Sequence, residues 1–192
     1  VENASRLILE QGFELGLQMM TGLYGSDAEK DLDTAHKLAK LHPQTVRVYP
    51  TVVVEGTGLA ALWRAGRYRP QTLEEAVSLG AQLIGLFEEQ YGIPIIRMGL
   101  HAQRSLEQGL LAGPYHPAFR ELCEGELLFQ KAKTLLTGYP AGEYTIHVNP
   151  KSVSKLTGHG GKAIVKLHNL GYNSKIIQDA RLSGLEIAIE EV

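Results

Sequence analysis

The stretch Phe13-Glu14-Leu15-Gly16-Leu17-Gln18-Met19-Met20 decides the fold, an apolar run closed on either side by Gly12 and Gly22. It has the length of a strand, and it reads as one buried in a parallel sheet sheltered on both faces. Before it, residues 3–11 read as a helix stopped at Gly12. After it comes Ser26-Asp27-Ala28-Glu29, in which Ser26 is placed to cap a helix while Glu29 reaches back to the cap amide. That helix runs to about Leu41 with Leu32, Ala35, Leu38 and Ala39 on one face, and Pro43 ends it. Thr45–Tyr49 is a second strand, broken by Pro50, and a short helix follows near 59–65. Thr72 and Glu75 form another capping box. It opens a long helix with Leu73, Ala76, Val77, Leu83, Ile84 and Phe87 at helical spacing. Ile93–Leu100 is a third strand. The order strand–helix–strand–helix–strand predicts right-handed crossovers and a parallel α/β sheet.

The pattern then changes. Gly113-Pro114-Tyr115-His116-Pro117 is a breaker cluster, a helix spans about 118–136, and Gly138-Tyr139-Pro140-Ala141-Gly142 breaks the chain again. Beyond it Tyr144–Val148 reads as a strand, Lys151–Thr157 as a short helix, and Gly158-His159-Gly160-Gly161 as a tight loop. Lys162–Leu170 reads as a second helix, and Lys175–Gln178 and Leu185–Ile189 as strands. This divides the chain into 1–112, a helical connector at 113–137, and a small α+β module at 138–192.

The 192 residues, 44% hydrophobic and 21% charged, suit a globular protein with a proper core. A net charge of −2 leaves any polyanion contact to a local patch. The one cysteine, Cys123, excludes an intrachain disulfide framework and reads as a small core residue in a reducing, cytoplasmic setting. No apolar run approaches the ~20 residues of a membrane helix, so no membrane partner is expected. The chain opens without a starting methionine, directly on a helical pattern, as an excised piece does.

In a parallel barrel the chemistry sits at the carboxyl ends of the strands. Those ends are Met20-Thr21-Gly22, Tyr49-Pro50-Thr51 and Gly99-Leu100-His101. Gln18 and Met20 share a face of the first strand. A polar Gln18 there either faces a ligand or is a buried amide bonded to a neighbouring strand. Tyr49 and His101 carry the same two readings, ligand-facing or half-buried packing.

Three stretches carry a resemblance: Gly16 through Gly25 (Gly-Leu-Gln-Met-Met-Thr-Gly-Leu-Tyr-Gly), Arg47-Val48-Tyr49-Pro50-Thr51, and Gly56-Thr57-Gly58-Leu59…Leu62-Trp63…Gly66-Arg67-Tyr68. Together they resemble the radical S-adenosylmethionine proteins related to the Elongator catalytic subunit and, more loosely, the oxygen-independent coproporphyrinogen oxidases. Ala112 through Leu122 is similar to the bacterial branch of that group. The resemblance covers roughly residues 10–130. It implies the later half of a partial TIM-type barrel. In the full-length enzyme, S-adenosylmethionine on a four-iron four-sulfur cluster would yield a 5′-deoxyadenosyl radical. The cluster would be held by three closely spaced cysteines, and this chain has only Cys123. The expectation is therefore that the first half of the barrel lies elsewhere in the polypeptide. This stretch alone would hold no cofactor and no metal and would catalyse nothing. Gln18, Met20, Tyr49, Thr51 and His101 would line the cofactor or substrate side of the whole enzyme. No glycine-rich acetyl-CoA loop follows a strand, which disfavours an acetyltransferase domain.

The order strand–helix–Gly158-His159-Gly160-Gly161–helix–strand–strand resembles the core of a KH domain, whose Gly-X-X-Gly loop clamps a nucleic-acid backbone. Glycines let a phosphate approach closely, and the next helix offers free amides. From Tyr144 to Gln178 the chain carries Lys151, Lys155, Lys162, Lys166 and Lys175 and no Asp or Glu. The nucleic-acid site is thus expected at Gly158, His159, Gly160, Gly161, Lys162, Lys155 and Lys166. The plainer reading is a helix–helix turn with a solvated lysine face. A P-loop is excluded, because Gly161-Lys162 is followed by Ala163. No histidine pair has helical metal-site spacing.

These readings converge on part of a radical enzyme that binds RNA, and tRNA in particular. The rival readings are a non-enzymatic nucleic-acid-binding module and a structural, self-associating domain.

Overall fold

The computed structural model describes residues 1–158 and 161–192, except for the side chains of Ser105 and Lys162. It divides into two compact units, Val1–Arg120 and Glu121–Val192.

In the first unit, α1 (Glu2–Glu10) leads to β1 (Gly16–Thr21), α2 (Ala28–Ala39), β2 (Thr45–Pro50), β3 (Val53–Val54), α3 (Gly58–Arg64) and α4 (Leu73–Ile84). The helix α4 widens into a π-turn, Gly85–Gln90. Then come β4 (Ile95–Met98), α5 (Arg104–Gly109) and β5 (Leu110–Ala112). β1, β2 and β4 form a parallel sheet in that order, as the alternation of elements predicts. A second sheet, β3 antiparallel to β5, escaped the sequence reading because its strands are two and three residues long. Val53, Ala60 and Tyr68 are buried over it, with Trp63 and Leu111 packed alongside.

The helices cover one face of the parallel sheet only. Leu15, Met19, Val46, Val48, Ile95 and Met98 point into the core, where α2 packs on β1 and α4. The intervening residues Gln18, Met20 and Arg47 are exposed. This corrects the expectation of a sheet covered on both faces: the run looked continuously apolar because Met20 is apolar yet sits on the open side. Phe87, Leu83 and Ile84 are fully buried, and each contributes about 1.5–3 kcal/mol by leaving water.

The caps agree at one helix and shift at the other. Thr72 and Glu75 make the expected reciprocal capping box on α4. At α2 the cap is Asp27, whose carboxylate accepts from the Lys30 amide, while Ser26 turns its hydroxyl onto Asp31. A carboxylate at the N-terminus also favours the helix dipole, so Asp27 displaces the adjacent serine.

The helix α6 (Phe119–Leu136) crosses the boundary between the units. The second unit adds β6 (Gly142–Val148), α7 (Val153–Thr157), α8 (Lys162–Asn169), β7 (Tyr172–Gln178) and β8 (Ile187–Glu191). The central strand β6 pairs parallel with β7 and antiparallel with β8. Its core joins Leu128, Phe129, Ala132 and Leu136 of α6 to Tyr144, Ile146, Val148, Leu156 and Leu167.

Candidate functional site

The open sheet face of the first unit is built by register. Gln18 on β1 stands beside Arg47 on β2, and Arg47 beside Arg97 on β4. A bulge at Ile96 keeps Arg97 in line, so Val46–Ile95 and Val48–Met98 pair on the core side and the two arginines pair on the other. One row further along, Met20 stands beside Tyr49. Three of the five residues expected at the strand ends, Gln18, Met20 and Tyr49, therefore share one face within two rows. His101 is exposed three residues past the end of β4 and belongs to neither row. Thr51 lies just beyond β2, buried, with its amide bonded to the Thr21 carbonyl and its hydroxyl without a partner.

The tip of β1 is held by a buried clamp. The Gly22 amide donates to Asp31 Oδ2 at 2.8 Å, Ser26 Oγ donates to Asp31 Oδ1 at 2.7 Å, and Tyr68 OH donates to the Gly22 carbonyl at 2.7 Å. Burial and the nearby Asp31 charge push the Tyr68 hydroxyl above its usual pKa, which keeps it a donor. Glycine is strongly favoured at position 22. Its φ is +70°, and a Cβ there would lie 2.7 Å from Gln71 Oε1.

Sequence reading missed Arg47, Arg97, Asp31 and Tyr68. For the arginines a signal existed: each is the polar residue at an alternate position of an otherwise apolar strand, as Gln18 is. Asp31 carried none, since an aspartate in the first turn of a helix is ordinary.

In the second unit, His159 and Gly160 lie outside the described residues. Gly158, with φ 61° and ψ −177°, is in a region essentially reserved for glycine, and Gly161 is left-handed. Of the three lysines expected there, the Lys162 side chain also lies outside the described residues, and the other two are engaged. Lys155 Nζ meets Glu124 Oε2 at 2.8 Å, and Lys166 Nζ meets Glu126 Oε2 at 3.1 Å and lies over the Phe129 ring. Both acids come from α6, far away in sequence, which is why a lysine-rich stretch without acids still finds its counter-charges. Lys151 and Lys175 are exposed.

Among the described residues no group of three or more His, Cys, Asp or Glu is gathered to hold a metal ion. Cys123 is fully buried. The chain's own donors do not fit an iron–sulfur cluster, which takes several thiolates. No helix among the described residues is long and apolar enough to cross a membrane.

Comparison with known proteins bears on this geometry. Residues 43–128 match the Radical_SAM C-terminal domain family. A tRNA uridine(34) acetyltransferase from Methanocaldococcus jannaschii is 33% identical over 79 residues, covering 40% of this chain and 15% of the relative. Another, from Dehalococcoides mccartyi, is 40% identical over 73 residues, covering 36% and 16%. Elongator complex protein 3 of Mus musculus is 29% identical over 120 residues, covering 60% and 21%. The matches thus span only about a fifth or less of these relatives' lengths. In fold, the solved archaeal Methanocaldococcus infernus Elp3 with an N-terminal deletion (1–46) is similar with a TM-score of 0.51 at 21% identity, covering 74% of this chain and 32% of that one. Residues 43–128 thus resemble the Radical_SAM C-terminal domain, and the chain is similar over part of its length to radical S-adenosylmethionine proteins of Elongator type.

Proposed function

We propose that residues 1–112 form the later half of a partial TIM-type barrel, 113–137 a connector and 138–192 a KH-like module, and that the whole enzyme acts on RNA, with tRNA the substrate. The observation that carries this reading is the open face of the parallel sheet, which groups Gln18, Met20 and Tyr49 instead of closing over them. A sheet whose strands curl into a barrel turns such a face to its ligand. The relatives named for tRNA modification support the choice of RNA. The cluster and S-adenosylmethionine would be held with cysteines outside this stretch and would supply radical chemistry there. The chain's own residues would bind and orient: Gln18 as an amide, Tyr49 as a ring and hydroxyl, Met20 and Thr51 as the wall, His101 from the loop beyond. On this reading the 192 residues alone catalyse nothing.

In the second unit the Gly-X-X-Gly sequence at 158–161, flanked in sequence by Lys155, Lys162 and Lys166, would let a phosphate approach the backbone closely. Lys155 and Lys166 are already paired, so the loop's contribution is chiefly geometric, and a shallow salt dependence is expected. The test is fluorescence anisotropy of a labelled tRNA titrated with the whole 192-residue chain at low salt. Binding is expected, and the double substitution His159→Asp with Gly160→Asp should weaken it at least tenfold. A chain that does not bind, or binds equally after the substitutions, ends the proposal for this loop.

A further inference from the structure

We propose that Gln18, Arg47 and Arg97, side by side across β1, β2 and β4, form a subsite for the phosphate of a nucleotide, with Tyr49 in the next row as the surface on which its base stacks. The inference deepens the reading above and rests on the open sheet face being the ligand side.

The geometry is set by the backbone. Neighbouring strands lie ~4.8 Å apart, so residues in register on one face are adjacent. Arg47 and Arg97 are such a pair, and Gln18 flanks Arg47 on the far side. Like charges directly opposite one another are unfavourable in a sheet. Here nothing among the described residues relieves them. Neither arginine makes an ion pair or side-chain hydrogen bond among the described residues, and β1, β2 and β4 contain no Asp or Glu. Of the other exposed arginines of the unit, Arg6, Arg64 and Arg69 are answered by Glu10, Glu55 and Glu75, while Arg67 and Arg104 stand alone as well among the described residues; what sets Arg47 and Arg97 apart is that they are neighbours in register. Two uncompensated planar forks suit an oxyanion, because each guanidinium can donate two parallel hydrogen bonds to it. The Gln18 amide adds a neutral donor. Tyr49 stands two residues further along β2 on the same face, with Met20 beside it, about 7 Å along the strand. That spacing suits a ligand with an anionic end and a flat ring.

The test titrates the whole chain at low salt with adenosine 5′-monophosphate, inorganic phosphate and adenosine, read by calorimetry. The monophosphate should bind more tightly than either part. Arg47→Gln and Arg97→Gln should each weaken monophosphate and phosphate binding at least tenfold, and Tyr49→Ala should weaken the monophosphate but not phosphate. Arg6→Gln is the control and should change neither. Circular dichroism checks that each variant keeps its fold. Monophosphate affinity unchanged within twofold in both arginine variants, or no binding by the native chain, overturns the subsite. Binding of tRNA that survives while the monophosphate fails counts against this subsite alone; the reverse counts against the RNA reading alone.

Discussion

The two units solve the same problem, helices laid on one face of a small sheet, and treat their cations in opposite ways. In the second unit two lysines flanking the glycine loop are tied down, Lys155 to a Glu124 side chain only 8% exposed and Lys166 to Glu126. In the first, Arg47 and Arg97 meet across two strands with no counter-charge among the described residues. Lysines that cluster along the sequence proved to be partly neutralised in space. Arginines 50 positions apart proved to be neighbours. A charge tied to a buried partner is part of the fold; a charge with none is available to a ligand.

That contrast can be broken most forcefully at the contact between α6 and α7. A Cβ on Gly125 would lie 2.5 Å from the Lys155 carbonyl oxygen, so Gly125→Ala must push α7 away and carry Lys155 off Glu124. We expect a net loss of about 2–3 kcal/mol in urea unfolding despite the better helix propensity of alanine. Lys155→Met strikes the pair itself and leaves a buried carboxylate with one donor fewer. A loss of about 2 kcal/mol is expected, below that for a fully buried pair because Lys155 is partly solvated. Arg47→Gln and Arg97→Gln, removing unpaired cations, should leave the melting temperature unchanged or raise it slightly, by up to ~0.5 kcal/mol of stability. If these arginine variants destabilise as Lys155→Met does, the two units do not differ in the way described.

The smallest effect is a titration. Hydrogen bonds from the Arg181 side chain, then from its amide, lower the Asp179 pKa to about 2. A carboxylate whose folded pKa lies below its unfolded value stabilises the fold above the unfolded pKa, about 3.9. That contribution is lost as pH falls from about 4 towards 2. Asp179→Asn should flatten the stability profile of the chain over this window, measured by urea unfolding, and leave it unaltered near pH 7.

Much of this was legible in the sequence, for reasons that can be located. The parallel sheet followed from apolar runs separated by helices, and the α4 cap from Thr72 and Glu75, because these signals are local. What depended on register was not legible. No spacing rule brings Arg47 to Arg97 through a bulge at Ile96, or Glu124 to Lys155. The open sheet face was hidden by Met20, a hydrophobic residue at an exposed position. Asp27 took the cap expected of Ser26 because Asp31, one turn on, claimed the serine hydroxyl for the buried clamp around Gly22.

The π-turn at Gly85–Gln90 has a consequence of its own. A π-turn is an ordinary helix with one residue extra, and the surplus residue rotates everything after it by about 100°. Here it delivers Glu88 to the Ile95 amide and to Arg120, whose guanidinium in turn holds the Ile95 carbonyl. The strand that carries Arg97 is thus tied at Ile95 to an insertion in a helix. A homologue shorter by one residue between Leu83 and Tyr91 would lose that anchor for β4, and would need a compensating change at its own counterpart of Arg97.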